Sequence, residues 1–191
     1  AAAAAKDIVI AQVAPFSGVQ ASAGMSYAAG LRLAFAAVNA AGGINGNQIR
    51  LVTADDAYKP DETVRLAKEI IAKESPVALA ATVGTANADA LIKANVLADN
   101  GIALVGPSSG ASSVIGKPGV FVTKASYADE VNQLLTTLSS MGLSRVAVVY
   151  QDDGYGKDLL DAAVALAPKY KVELVARAPY DRITGDIAPA V

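Results

Sequence analysis

The stretch Ala37–Asp56, AVNAAGGINGNQIRLVTADD, constrains the fold most. Gly42 or Gly43 can take the left-handed conformation that closes a helix, because glycine has no Cβ to clash. Asn45-Gly46-Asn47 reads as a tight turn. Ile49, Leu51 and Val52 then give a short apolar run, which reads as a strand ending at Asp55-Asp56. A helix, a turn of a few residues and a strand form the standard joint of an α/β protein.

The same grammar precedes and follows this joint. Asp7–Ala14 is nearly continuous in apolarity through Ile8, Val9, Ile10 and Val13, as in strands buried on both faces of a parallel sheet. A Pro/Ser/Gly loop is expected over residues 15–24. A helix is expected over Met25–Ala41, with Leu31, Phe35 and Val38 at helical spacing. The second helix starts near Pro60, where Asp61 and Glu62 favour its positive end. Val64, Ala67, Ile70 and Ile71 form its inner stripe. A strand at Val77–Ala81, a loop at 82–86, a helix at Asn87–Ala98 and a strand at Ile102–Val105 complete one run. A Ser/Gly-rich loop covers 106–119. The repeated β-α alternation predicts a doubly wound parallel sheet with right-handed connections.

A second run starts at Val120–Thr123. Val131, Leu134, Leu135 and Leu138 mark a helix, Val146–Tyr150 a strand, Gly156–Ala167 a helix with Leu160, Ala163 and Val164 inward, and Lys171–Ala178 a strand. Thr184–Val191 reads as the first turns of another helix. The expected organisation is therefore two similar α/β lobes, 1–119 and 120–191, joined near Gly119.

Composition limits the chemistry. The 191 residues carry a net charge of −2, which disfavours a nucleic-acid partner. There is no cysteine and no histidine, so thiol chemistry, imidazole acid–base chemistry and the usual zinc ligands are absent. No apolar run approaches the roughly 20 residues that span a bilayer. Ala1–Ala5 followed by Lys6 lacks the features of a signal peptide and is given no fold role. Gly116-Lys117 is followed by Pro118 and has no glycine at P-loop spacing, and the glycines of 106–116 do not make a dinucleotide fingerprint. A hydrolase triad of the ordinary kind needs a histidine. Asp55 and Asp56 point to opposite faces of an extended chain, so capping or hinge-side hydrogen bonding is expected of them rather than a catalytic dyad.

Together with Ala14-Pro15-Phe16-Ser17-Gly18 and Asp152-Asp153-Gly154-Tyr155-Gly156, the wording of Ala37–Asp56 resembles periplasmic amino-acid-binding proteins of the leucine/isoleucine/valine type. These are the type I receptors of ABC importers. The resemblance runs from Asp7 to the last residue. It implies two doubly wound lobes, a solute held in the cleft between them, a membrane permease as partner, a periplasmic location and no cofactor. Proteins of this type are nearly twice as long and cross between lobes three times. The resemblance therefore implies that both lobes are incomplete here and that the residues binding an α-ammonium lie outside the chain.

By position, the resemblance places Thr85, Asn87 and Ala88 in a first carboxylate-binding loop and Ser108, Ser109 and Gly110 in a second. Ala88 stands where the family usually has serine. Tyr155 falls at a position that faces the ligand. Ala23 stands where the family often has an aromatic, which implies a roomier pocket. Read as residues alone, the backbone N–H groups opening a helix near 84–88 suit a carboxylate. Thr85 or Asn87 is equally a candidate N-cap. Tyr58 is either a rim residue or a surface tyrosine, and Lys124 and Tyr127 follow the lobe crossing. A solute receptor is the expected function. A ligand-sensing regulator of the same fold and a flavodoxin- or Rossmann-like enzyme are the alternatives. A branched-chain amino acid is the family default, and amides, urea and aromatic acids also occur in it.

Overall fold

The computed structural model describes residues 7–182, 184 and 186–188. Ala1–Ala5 and half of the helix expected over Thr184–Val191, residues 185 and 189–191, lie outside the described residues. The chain divides into two compact units. The first comprises residues up to Ser108 together with Gly116–Thr123, and the second comprises Ser109–Ile115 and the chain from Lys124 onward.

The first unit is a five-stranded parallel sheet in the order β2-β1-β3-β4-β5. Its strands are β1 (Ile8–Ala14), β2 (Ile49–Asp55), β3 (Ala78–Ala80), β4 (Ala103–Val105) and β5 (Val120–Phe121). The helices are α1 (Ala21–Ala40), α2 (Pro60–Glu74), α3 (Thr85–Lys93) and α4 (Val96–Asn100). Ala11, Val13, Leu79, Leu91 and Leu104 are fully buried and form the core. The joint between α1 and β2 closes as the sequence predicts. Gly42 and Gly43 both have positive φ, and a Cβ on Gly43 would lie 2.1 Å from the Asn47 carbonyl oxygen. Asn39 then donates to and accepts from the backbone of Ile49, pinning the first residue of β2.

The second unit pairs β6 (Arg145–Gln151) with β7 (Glu173–Tyr180) in parallel. Helices α5 (Tyr127–Ser140) and α6 (Gly154–Leu166) pack together through Val131, Leu135 and Ala163, with Ala167 and Val172 beneath. Ser126 caps α5 by accepting the Asp129 N–H at 3.0 Å.

Several expectations shift. α1 begins at Ala21 rather than Met25, because Ala21-Ser22-Ala23 continues the helix back to a short 3-10 turn at Gly18–Gln20. The helix expected over 87–98 starts at Thr85 and breaks at Asn95, whose φ of 52° is left-handed. Val164, expected inward, is exposed, and so are Leu134 of the α5 stripe and Val38 of the α1 stripe. The boundary expected at Gly119 falls after Thr123. Val105 and Phe121 are register partners, so this segment stays with the first sheet.

Candidate functional site

The carboxyl ends of β1, β2, β3 and β4 emerge on one side of the first sheet. Ala14 pairs with Asp55, and Ala80 pairs with Val105. Three of the loops that follow these ends, those after β2, β3 and β4, differ in local chemistry.

The loop after β2 is built on the two aspartates. Asp55 Oδ1 accepts the N–H groups of Phe16 at 2.8 Å and Ala57 at 2.9 Å. Partial burial pulls the Asp55 carboxyl upward, but hydrogen bonds from Ser17, Phe16 and Ala57 outweigh it, and the group stays below the usual aspartate value. Asp56 points the other way and is fully buried. It accepts from Thr63 Oγ1 at 2.7 Å and from the Tyr58 N–H at 2.9 Å. Burial nevertheless pushes its carboxyl above the ordinary value. The divergence agrees with the expectation against a joint dyad, and the two carboxylates bond the turn itself while α2 has no side-chain cap at Lys59.

The loop after β3 runs Ala81–Gly84 into α3. Gly84 is the N-cap and makes no side-chain cap, so neither Thr85 nor Asn87 fills that role. Thr85, Asn87 and Ala88 are all buried. The Asn87 amide donates to Thr63 Oγ1 at 2.8 Å, which ties the first turn of α3 to Asp56. What this turn carries at its N-terminus is backbone N–H and the positive helix end.

The loop after β4 lies beside it. The Ser108 N–H donates to the Thr82 carbonyl at 2.8 Å, and Val83 and Ser108 form a parallel bridge. The first loop expected from sequence thus lies beside Ser108 of the second, within the first unit. Tyr27 of α1 donates to Ser108 Oγ at 3.1 Å. A cavity of about 510 Å³ opens here. Its lining includes Ala23, Tyr27, Leu31, Ala81, Val105 and Gly106, and among the described residues none that lines it is charged. Ala23 sits here inside α1, not on the expected loop.

Ser109 and Gly110 belong to the second unit. Both are buried, and the Gly110 carbonyl accepts the Tyr127 N–H at 2.8 Å. Tyr127 is 5% exposed and meets the Tyr155 ring edge-on at 5.1 Å between centroids. Lys124 Nζ lies 4.4 Å above the Tyr127 ring and pairs with Glu130. Tyr155 sits in the first turn of α6, which starts at Gly154, two residues before the Gly156 expected from sequence. Asp153 Oδ1 accepts the N–H groups of Tyr155 at 3.0 Å and Gly156 at 3.2 Å. A Cβ on Gly156 would lie 2.0 Å from the Gln151 carbonyl oxygen, so the Asp-Gly-Tyr-Gly wording has a local cause in this cap. The carboxylate of Asp158, one turn on, accepts from the N–H and Oγ of Ser112. This bond holds segment 109–115 to the second unit.

Sequence reasoning missed Thr63, Tyr27 and Asp158. Thr63 is a polar residue on the buried face of an amphipathic helix, and that was its available signal.

A family model described as periplasmic binding protein matches residues 7–191. The chain belongs to this family. Among its curated relatives, an amino acid binding protein of Pseudomonas aeruginosa is 33% identical over 175 residues, covering 88% of this chain and 46% of the relative. A Leu/Ile/Val-binding protein homologue of Brucella melitensis is 30% identical over 188 residues, covering 96% and 49%. A crystal structure of a substrate-binding periplasmic protein from Ralstonia solanacearum superposes with a TM-score of 0.91 at 42% identity, over 96% of this chain and 52% of that one. The chain therefore spans about half the length of these periplasmic binding proteins. Their architecture agrees with the parallel α/β reading, and the relatives' names agree with the leucine/isoleucine/valine type.

Proposed function

We propose that this chain is the N-terminal part of an extracytoplasmic solute receptor of an ABC importer, and that it binds an amino acid or a similar small carboxylate or amide. The single observation that carries the reading is the adjacency of the loops after β3 and β4. Their Val83–Ser108 bridge sets the start of α3 beside Ser108, at the edge of an uncharged cavity. A carboxylate placed at that helix start meets N–H donors and the positive end of the dipole. An apolar solute side chain fits the alanine-lined cavity, where Ala23 leaves room. The second unit offers Tyr155, 37% exposed and backed by Tyr127. A rigid aromatic with a polar tip suits a solute contact. The family membership supports a membrane permease as partner and a periplasmic location as parts of this proposal.

A thermal-shift screen against L-amino acids, their amides and aromatic carboxylates tests the reading. A specific ligand at 100 times its Kd is expected to stabilise by about 2.7 kcal/mol. Turnover of a stabilising compound would favour an enzyme. Absence of any stabilising carboxylate or amide for the protein at the full length of its relatives would refute the receptor reading.

A further inference from the structure

The turn Asp56–Lys59 carries a strain that the receptor reading does not use. Ala57 and Tyr58 are consecutive non-glycine residues with left-handed φ of 48° and 64°. Such pairs persist only where the surroundings over-determine them, and they cluster at functional positions. Here the surroundings are Asp55, which accepts the Ala57 N–H, and Asp56, which accepts the Tyr58 N–H. The Lys59 N–H closes the turn on the Asp56 carbonyl at 2.9 Å.

The strained turn delivers the Tyr58 ring to one place. A Cβ built on Gly84 would lie 2.6 Å from Tyr58 Cε2 and 2.8 Å from Asn87 Oδ1. The ring and the buried amide oxygen therefore both pack against the N-cap of α3. Asn87 is held in turn by Thr63 Oγ1, and Thr63 by Asp56 Oδ2. One carboxylate thus anchors both jaws.

Resting on the receptor reading, we propose that Asp56, Tyr58, Thr63 and Asn87 are positioning residues. They form a clamp that fixes the first turn of α3, so that its N–H groups are pre-set for the solute carboxylate. The clamp touches no solute itself. It acts by removing the freedom that an unclamped Gly84 would give the turn, and a pre-ordered donor set loses less entropy on binding.

The test compares Tyr58→Ala, Tyr58→Phe and Thr63→Val by amide exchange. The Ala88 N–H, which donates to the Gly84 carbonyl at 3.0 Å, reports fraying of the turn. Tyr58→Ala and Thr63→Val are each expected to speed exchange at Ala88 about tenfold or more, with α5 and α6 of the second unit unchanged. Tyr58→Phe, which keeps the ring, is expected to exchange like the parent. Unchanged exchange at Ala88 in both of the first two variants overturns the clamp, and so does equal loss in Tyr58→Phe. A second readout follows amide chemical shifts of residues 85–88 on titration with L-leucine, acetate and L-leucinamide. Carboxylate-dependent shifts in the parent that shrink in Tyr58→Ala support the link to solute. A parent that responds to neither carboxylate sinks the receptor reading at this turn, while the exchange data decide the clamp separately.

Discussion

Replacing Gly84 by alanine tests the local geometry most sharply. The backbone there has φ 101° and ψ 134°, a region that is close to glycine-only. Forcing an L-residue into it costs about 2–3 kcal/mol. The new methyl would also lie 2.6 Å from Tyr58 Cε2 and 2.8 Å from Asn87 Oδ1. Neither neighbour yields cheaply, since Tyr58 sits on a strained turn and Asn87 in a fully buried network. Overpacking of this kind adds about 1–3 kcal/mol. The expected loss is on the order of 3–6 kcal/mol, which corresponds to a fall in melting temperature on the order of 10 °C for a chain of this length. Gly46→Ala is the control. Gly46 has φ 81°, but a Cβ on it would meet nothing within 4 Å, so only the backbone penalty of about 1–2 kcal/mol applies. Urea unfolding followed by far-UV circular dichroism measures both. If Gly84→Ala equals Gly46→Ala within the error of extrapolation, the contacts assigned to Gly84 are not rigid and the reasoning fails.

Three further outcomes are expected. The adjacent aspartates should give opposite pH signatures in urea midpoints. Asp56 has a raised carboxyl value, so its native form holds its proton longer, and the parent should lose stability relative to Asp56→Asn as pH rises above about 4. Asp55 has a lowered value, so the advantage of the parent over Asp55→Asn should be full at neutral pH and vanish as pH falls below about 4; parallel profiles would refute both assignments. Tyr127→Ala, at a 5% exposed ring, should cost about 3–5 kcal/mol, whereas Tyr155→Ala, at 37%, should cost about 1 kcal/mol and weaken solute binding instead, as read by calorimetry. Phe121, 59% exposed on β5, and Val149, 57% exposed on β6, should make the 191-residue chain self-associate with concentration; sedimentation should show Phe121→Lys reducing it.

The element order was legible because apolar runs and glycines act locally. The helix end at Gly42-Gly43, the turn at Asn45–Asn47 and the alternation of strands and helices all needed only neighbours in sequence. Family wording also pointed to the loops after β3 and β4, and the Val83–Ser108 bridge brings them together. The errors fell where distant contacts decide. Leu134 and Val164 fit a helical stripe by spacing yet lie exposed, because a stripe marks a candidate face and only packing partners cover it. Sequence alone assigns residues 120–123 to the second lobe, because nothing local shows that Val120 pairs with Leu104.

Sequence by itself determined that this is an α/β chain of parallel strands, without imidazole or thiol chemistry, with the wording of a periplasmic binding protein. Tertiary structure alone decided what Asn87 and Tyr58 do. Spacing left Asn87 as a cap or a solute contact and Tyr58 as a rim or surface residue. The structure buries Asn87 on Thr63, a residue 24 positions away, and sets Tyr58 over Gly84. Burial removes water as an alternative partner, so a polar side chain inside the fold must satisfy itself on whatever the fold brings near. That partner is a property of the folded chain, and no local pattern encodes it.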